Sequence, residues 1–366
     1  MINRQKWFGG IKTPARDRMT SAERVAALLS GQRIDRVPFF SFALGFCARN
    51  VGYPIATIHD DPEKSFQAQL WTQEMYGYDS DPFYGYASYG NWEFGGKVEF
   101  PSSELAPTPM TARFAVQSEE DINRLELPDV KTAGMLPLAM EFSKLQDRFG
   151  MPISVVVGGA FTISGNICAV ERLCRWMLQK PEAVNRIIRL AADHILGIVQ
   201  HWVETFGAER VIPQIWEPLA YNKIISPKQF EKFILPVQKE LHERILAMGI
   251  RHILCHICGE HNLNLPHWRQ IPMGNPGIVS FGHEVDLTTA IKYFGDTCII
   301  AGNIEPQVIQ NGTPQQVYEL SKQCIEKAKY VPRGFILMPG CELLPMTPPY
   351  NVYMMKKAVN DFGGYD

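Results

Sequence analysis

A (β/α)8 barrel with an elaborated N-terminal region is the fold class that three observations predict. From about residue 150 short apolar runs alternate with helical segments, which means βαβ units and parallel strands. No G-x-G-x-x-G follows a strand and no G-x-x-x-x-G-K-[ST] occurs, so dinucleotide-binding and phosphate-loop folds lose their main support. The 366 residues allow one large or two medium domains. A single barrel over 19–366, preceded by an arm over 1–18, accounts for the length.

The elements follow in order. Thr20 and Glu23 form a Thr-x-x-Glu capping box that opens a helix, and Gly31 can end it. RVPFFSF reads as a first buried strand. Residues 71–94 read as loop and carry nine Phe, Trp and Tyr, where 11% usage predicts fewer than three. They open an aromatic-rich insertion over about 71–115. The regular strands then come at ISVVV (153–157), RVIPQIW (210–216), HILCHIC (252–258), GIVSFG (277–282), CIIAGNI (298–304) and GFILMPGC (334–341). Between them, a long helical stretch from Ala169 is broken or restarted by Pro181. Ser226 with Pro227, and Thr313 with Pro314, open two further helices as N-cap and first helical residue.

Composition excludes several classes. Lys plus Arg total 36 and Asp plus Glu 38, a net charge of −2, which supplies no general pull toward nucleic acid or anionic lipid. Eight Cys are too few for a disulfide scaffold. No run approaches the roughly 18 apolar residues that span a bilayer, and the polar, basic N-terminus lacks an apolar signal region. A cytoplasmic protein with free thiols is the expectation.

One constellation carries chemistry. His256 and Cys258 are two apart near a strand end, so both side chains point to one face, with Cys255 and Ile257 on the other. Imidazole and thiolate at the mouth of a barrel suit a Zn2+ site, although a core His beside a buried Cys is a common arrangement too. Gly259 lets the chain turn away. Cys341 closes the last apolar run and is a third candidate ligand. Three ligands from strand ends with a fourth position open is the arrangement of a catalytic zinc. Glu217 ends RVIPQIWE and reads as a fourth ligand, a catalytic carboxylate, an acceptor behind the ligands, or an ordinary loop or helix N-terminal carboxylate. His283 and Asn303 lie near further strand ends; His283 could donate to a leaving oxygen or cap the next helix. Tyr221 and Asn222 follow Glu217 and could line the pocket. His261 and His267, beside the Pro266 loop, are expected to face solvent.

The run RGFILMPGCELLPMTPPYNV resembles the C-terminal signature of the uroporphyrinogen decarboxylase superfamily, and specifically its zinc-dependent cobamide (corrinoid) methyltransferase branch. That branch pairs a His-x-Cys with a distant Cys as zinc ligands, matched here by His256, Cys258 and Cys341. The similarity runs from RMTSAERVAALLSGQRIDRVP to the C-terminus. It implies a TIM barrel, a corrinoid (cobalamin) supplied by a partner protein, and a small-molecule methyl donor or acceptor. No nucleic acid or membrane partner follows, and a homodimer is allowed. The decarboxylases carry an arginine-rich Met-Arg-Gln-Ala-Gly-Arg segment. The corresponding FFSFALGFCARN has only Arg49, so porphyrinogen decarboxylation would lack its anion clamp.

The resemblance implies methyl transfer in one of two directions. On the donor side, a phenyl methyl ether of the methoxybenzoate type would lose its methyl to Co(I), as in the methyltransferase component of O-demethylase systems. On the acceptor side, methylcorrinoid would methylate a thiol of the coenzyme M type, or tetrahydrofolate. The aromatic excess favours the ether, with Trp71, Tyr84, Tyr86 and Trp92 as substrate walls; the same rings could instead pack the insertion against the barrel. A barrel that only binds metal or corrinoid protein is a third reading, and would hold its zinc with four protein ligands.

Overall fold

The computed structural model describes residues 17–365; the proposed arm falls outside them apart from its last two residues. Six parallel strands form one sheet in sequential order: β3 (Ile153–Gly158), β4 (Val211–Trp216), β5 (Leu254–Ile257), β6 (Gly277–Phe281), β7 (Cys298–Ile304) and β8 (Phe335–Pro339). Before them, β1 (Lys97–Glu99) and β2 (Met110–Arg113) pair antiparallel in the insertion. Helices lie between the parallel strands, and the result is the α/β barrel the sequence predicts, with additional N-terminal helices. No helix of the described residues is long and apolar enough to cross a membrane.

The barrel is completed by two irregular segments. Residues 36–42, read from sequence as a strand, lie along β8 but form only bridges. Phe40 N donates to Leu337 O at 2.9 Å, and Leu337 N to Pro38 O at 3.0 Å. Residues 78–83 run beside them, with Asp79 N donating to Phe39 O at 2.7 Å and Ser41 N to Ser80 Oγ at 3.1 Å. Pro38 and Pro82 explain the irregularity, because each removes a ladder donor.

Three further differences have local causes. Residues 71–76 are the end of the Pro62–Tyr76 helix and not loop. Asp61 caps that helix and Gly77, at φ 63°, ends it. A helix over Ala160–Cys168 precedes the stretch read as helical from Ala169, which turns at φ 69° before Val170–Gln179 begins. Within the helix that starts at Pro227, residues Phe230–Ile234 open into a π turn. Pro236 lies two residues past it and cannot donate to the turn before it.

The N-terminal end is held by buried charge. Asp79 is fully inside and accepts from Arg24 Nη1 at 2.6 Å, Arg36 Nη1 at 2.6 Å and Phe39 N at 2.8 Å. Asp35 takes Arg24 Nε at 2.7 Å, and Asp17 takes Arg36 Nε at 2.7 Å. The Ser21–Leu29 helix and both closing segments are thereby tied together. Buried guanidinium–carboxylate pairs of this kind fix geometry more than they add net stability.

Candidate metal centre

Strand pairing decides what surrounds His256. It sits opposite Trp216 on β4 and Ser280 on β6, so all three side chains point inward. Cys255 faces the other way and is fully buried, as alternation requires. Cys258 follows β5 directly, and Cys341 lies two residues past β8. The chain thus delivers one nitrogen and two sulfurs to a single point: the ligand atoms of His256, Cys258 and Cys341 lie within 4.8 Å of one another.

The protonation pattern fits a metal. His256 Nδ1 is 3.0 Å from Ser280 Oγ, while Nε2 is buried with no partner. A buried polar atom without a partner is costly. Assigning the proton to Nδ1 satisfies Ser280 and leaves Nε2 as a lone pair, and the Ser280 hydroxyl can then turn to Met338 Sδ at 3.6 Å. The two sulfurs interact with each other: their hydrogen bond favours a thiolate on Cys341 and holds the Cys258 thiol above its ordinary range. An imidazole lone pair and two sulfurs suit a borderline cation such as Zn2+.

Glycines and a buried imidazole shape the loops. Gly259 has φ 91°, and a side chain there would meet the Tyr221 ring. At Gly282 a Cβ would stand 2.7 Å from Gly259 N and 3.1 Å from Cys258 Cα; only a bare backbone allows this approach. His261 is fully buried, contrary to the expectation of exposure. Trp268 Nε1 donates to its Nδ1 at 3.2 Å, so its Nε2–H is free to donate to Cys258 O, also 3.2 Å away. Burial pushes its pKa down to about 3, which keeps the ring neutral. His267 is half-buried and stacks on Phe230. Asn222 N donates to Glu260 O at 2.7 Å, and its Oδ1 accepts from Leu263 N at 3.0 Å. Tyr221 and Asn222 therefore stand beside the Cys258 loop and brace it.

Glu217 stands apart from the three ligands. Its backbone N donates to His256 O at 2.9 Å, but its carboxylate turns to the start of the Ala160–Cys168 helix. There it accepts from Phe161 N at 3.1 Å and from Thr162 Oγ1. Gly159 makes room, since a Cβ there would lie 2.0 Å from Glu217 Oε2. Of the readings open at Glu217, this geometry matches the helix N-terminal carboxylate. Complete burial pushes its pKa up to about 7. Glu342, next to Cys341, is pushed up to about 8 by burial and then by the Cys341 charge.

The four aromatic residues expected as substrate walls do not line the cavity at His256. Trp71 is 45% exposed on its helix and packs on Tyr53. Tyr84 is buried and donates to His59 O at 2.5 Å, and Tyr86 is buried and donates to Glu93 Oε1 at 2.6 Å. Trp92 packs edge-on against Phe100. The rings beside His256 are others: Phe42 at 5.1 Å and Trp216 at 6.4 Å between centroids, with Phe83 and Tyr89 against Trp216. Alternation along the extended 83–86 segment is the signal that separates inward Phe83 from Tyr84. His283 is half-exposed, 3.5 Å from Glu284 Oε2 and 3.9 Å from Glu305 Oε1. It does not cap the next helix, because Asp286 does. Asn303 Nδ2 donates to Gly282 O at 3.0 Å and Val285 O at 2.6 Å, which pins the loop after β6.

Known proteins resemble this chain over most of its length. Residues 20–362 match the family described as Uroporphyrinogen decarboxylase (URO-D). A methylcobamide:CoM methyltransferase (MtbA) of Methanosarcina acetivorans is 26% identical over 354 residues, 94% of this chain and 98% of the relative. A methylated-thiol–coenzyme M methyltransferase of Methanosarcina mazei is 26% identical over 322 residues, 84% of this chain and 81% of its own. The human uroporphyrinogen decarboxylase is 22% identical over 259 residues, 67% of each chain. Among solved structures, a methyltransferase from Methanosarcina mazei superposes with a TM-score of 0.79 at 21% identity, covering 94% of this chain and 99% of that one.

Proposed function

The chain belongs to the uroporphyrinogen decarboxylase (URO-D) family, in its cobamide methyltransferase branch, and from that premise we propose that it moves a methyl group from a methylcorrinoid on a partner protein to the sulfur of a small thiol, using Zn2+ held by His256, Cys258 and Cys341. That it is a corrinoid-dependent methyltransferase follows from the branch. The direction of transfer and the metal are our reading. The observation that carries it is the convergence of one unpartnered imidazole nitrogen and two sulfurs at the strand ends.

Bound zinc would supply one thing, the power to hold an acceptor thiol as thiolate near neutral pH. The rest falls to the protein. Cys258 and Cys341 as thiolates balance a dication's two charges, with His256 neutral. Ser280 holds the imidazole so that Nε2 faces the sulfurs. Neutral His261 braces the Cys258 carbonyl without adding a repelling charge. Phe42 and Trp216 keep water from His256, and a dry site strengthens every charge interaction within it.

The phenyl methyl ether rested on the aromatic excess at 71–94. Trp71 lies exposed on its helix, and Tyr84, Tyr86 and Trp92 are engaged by His59, Glu93 and Phe100, so the aromatic excess no longer favours the ether over the thiol. The names of the relatives lean the same way, toward a thiol acceptor. The test is an anaerobic assay of zinc-loaded protein with a methylated corrinoid and a panel of thiols. Loss of the methyl–cobalt spectrum with formation of a thioether is expected. If no thiol is methylated, while a methoxyaromatic with Co(I) corrinoid yields methyl–cobalt, the direction is reversed and this reading fails.

A further inference from the structure

Inward-facing positions of a (β/α)8 barrel are usually filled by bulky branched side chains. Several here are small or polar. Ser154 on β3, Gln214 on β4, and Ser41, Ser80 and Asp81 on the closing segments surround a cavity of about 90 Å³. His256, Trp216 and Phe42 form one end, and Leu28 and Leu29 of the first helix lie at the other. Among the described residues no donor reaches the Asp81 carboxylate, and the Ser154 hydroxyl and the Gln214 amide have no side-chain partner either. Burial raises the Asp81 pKa to about 6, so it carries its charge at neutral pH.

The cavity's charge is one-sided. Among the described residues no Lys or Arg lines it. Arg24 and Arg36 are committed to Asp79, Asp35 and Asp17, so among the described residues no cation in the cavity wall pairs with an anionic ligand. An ammonium or hydroxyl would find three unpartnered polar groups, one of them negative. A sulfonate, carboxylate or phosphate would meet Asp81 as a like charge in a low-dielectric space.

We propose that this cavity holds the small substrate beneath His256, and that Asp81 selects a neutral or amine-bearing tail over an anionic one. The inference rests on the thiol-acceptor reading and concerns the substrate, not the metal. It separates this chain from relatives whose names specify coenzyme M, a sulfonate thiol.

Calorimetric titration of the zinc-loaded full chain with 2-aminoethanethiol, 2-mercaptoethanol and 2-mercaptoethanesulfonate tests it. The aminothiol should bind most tightly and the sulfonate at least about tenfold more weakly. Asp81→Asn should erase the preference for the aminothiol with zinc stoichiometry unchanged. Ser154→Phe, which fills the cavity, should abolish binding of all three while the circular dichroism spectrum and zinc content stay as in wild type. Equal affinity for all three thiols, binding of none, or a preference untouched by Asp81→Asn would overturn the proposal. Methyl transfer from methylcobalamin is measured separately. A protein that transfers methyl without charge preference refutes the cavity alone, and one that discriminates thiols but transfers nothing refutes the function alone.

Discussion

At Glu217 burial controls a proton. Its place after an apolar run marks a strand end, and there it is. Only the fold brings the Phe161 N–H and the Thr162 hydroxyl to its carboxylate. The consequence is a pH dependence. Its pKa rises from 4.5 to about 7 through burial, so between those values the folded protein keeps a proton that the unfolded chain releases. Stability from this residue is therefore fully present below pH 4.5, falls by about 3 kcal/mol as pH rises through the window, and is level above pH 7. Glu217→Gln lacks that slope. In urea denaturation its deficit relative to wild type should be smaller at pH 8 than at pH 5; a deficit that grows with pH would mean the carboxylate is stabilised as an anion. Ser280 is the converse case, unremarkable in GIVSFG yet the partner of His256 Nδ1. Ser280→Ala should weaken zinc binding by about 10- to 100-fold, the usual cost of losing a ligand's outer hydrogen bond, read by competition with a chromophoric chelator. Unchanged affinity would show that packing alone orients the ring.

Elements were legible where periodicity was clean. β3 to β8 fall at the apolar runs, and the Thr20, Ser226 and Thr313 caps stand as read, each in a reciprocal capping box. The closing segments were harder, because VPFFSF has a strand's composition while its proline denies it a ladder. What holds these segments is charge. Asp79 serves Arg24 and Arg36 at once, with all three side chains almost or wholly buried. Asp79→Asn would leave two buried guanidinium groups short of an anion and should cost about 3–5 kcal/mol. Its urea midpoint should drop with the slope unchanged; a loss under 1 kcal/mol would mean that Asp17 and Asp35 suffice. The rings of the aromatic insertion were hard to place for a different reason. Composition counts rings but not the direction each faces, and rotating an extended segment by one residue exchanges Phe83 for Tyr84.

At the scale of the molecule, the three candidate ligands come from the ends of β5 and β8 while the core runs through the whole barrel. Metal loss should therefore spare the fold. His256→Ala and Cys341→Ala should each reduce bound zinc to under about a tenth of one equivalent, with the circular dichroism spectrum and cooperative unfolding retained. Global unfolding of either variant would make the metal structural. The amino-acid order alone determined the fold class and the strand sequence, and it singled out His256, Cys258 and Cys341 as candidate ligands. Those rest on local periodicity and on ligand chemistry, both written along the chain. Where the Glu217 carboxylate turns, which rings stand beside His256, that His261 is buried, and that Asp81 faces the lumen with no partner among the described residues were decided only by tertiary structure. Each depends on which distant segments become neighbours once the barrel closes, and on the direction in which an inward-facing side chain finds either a partner or none.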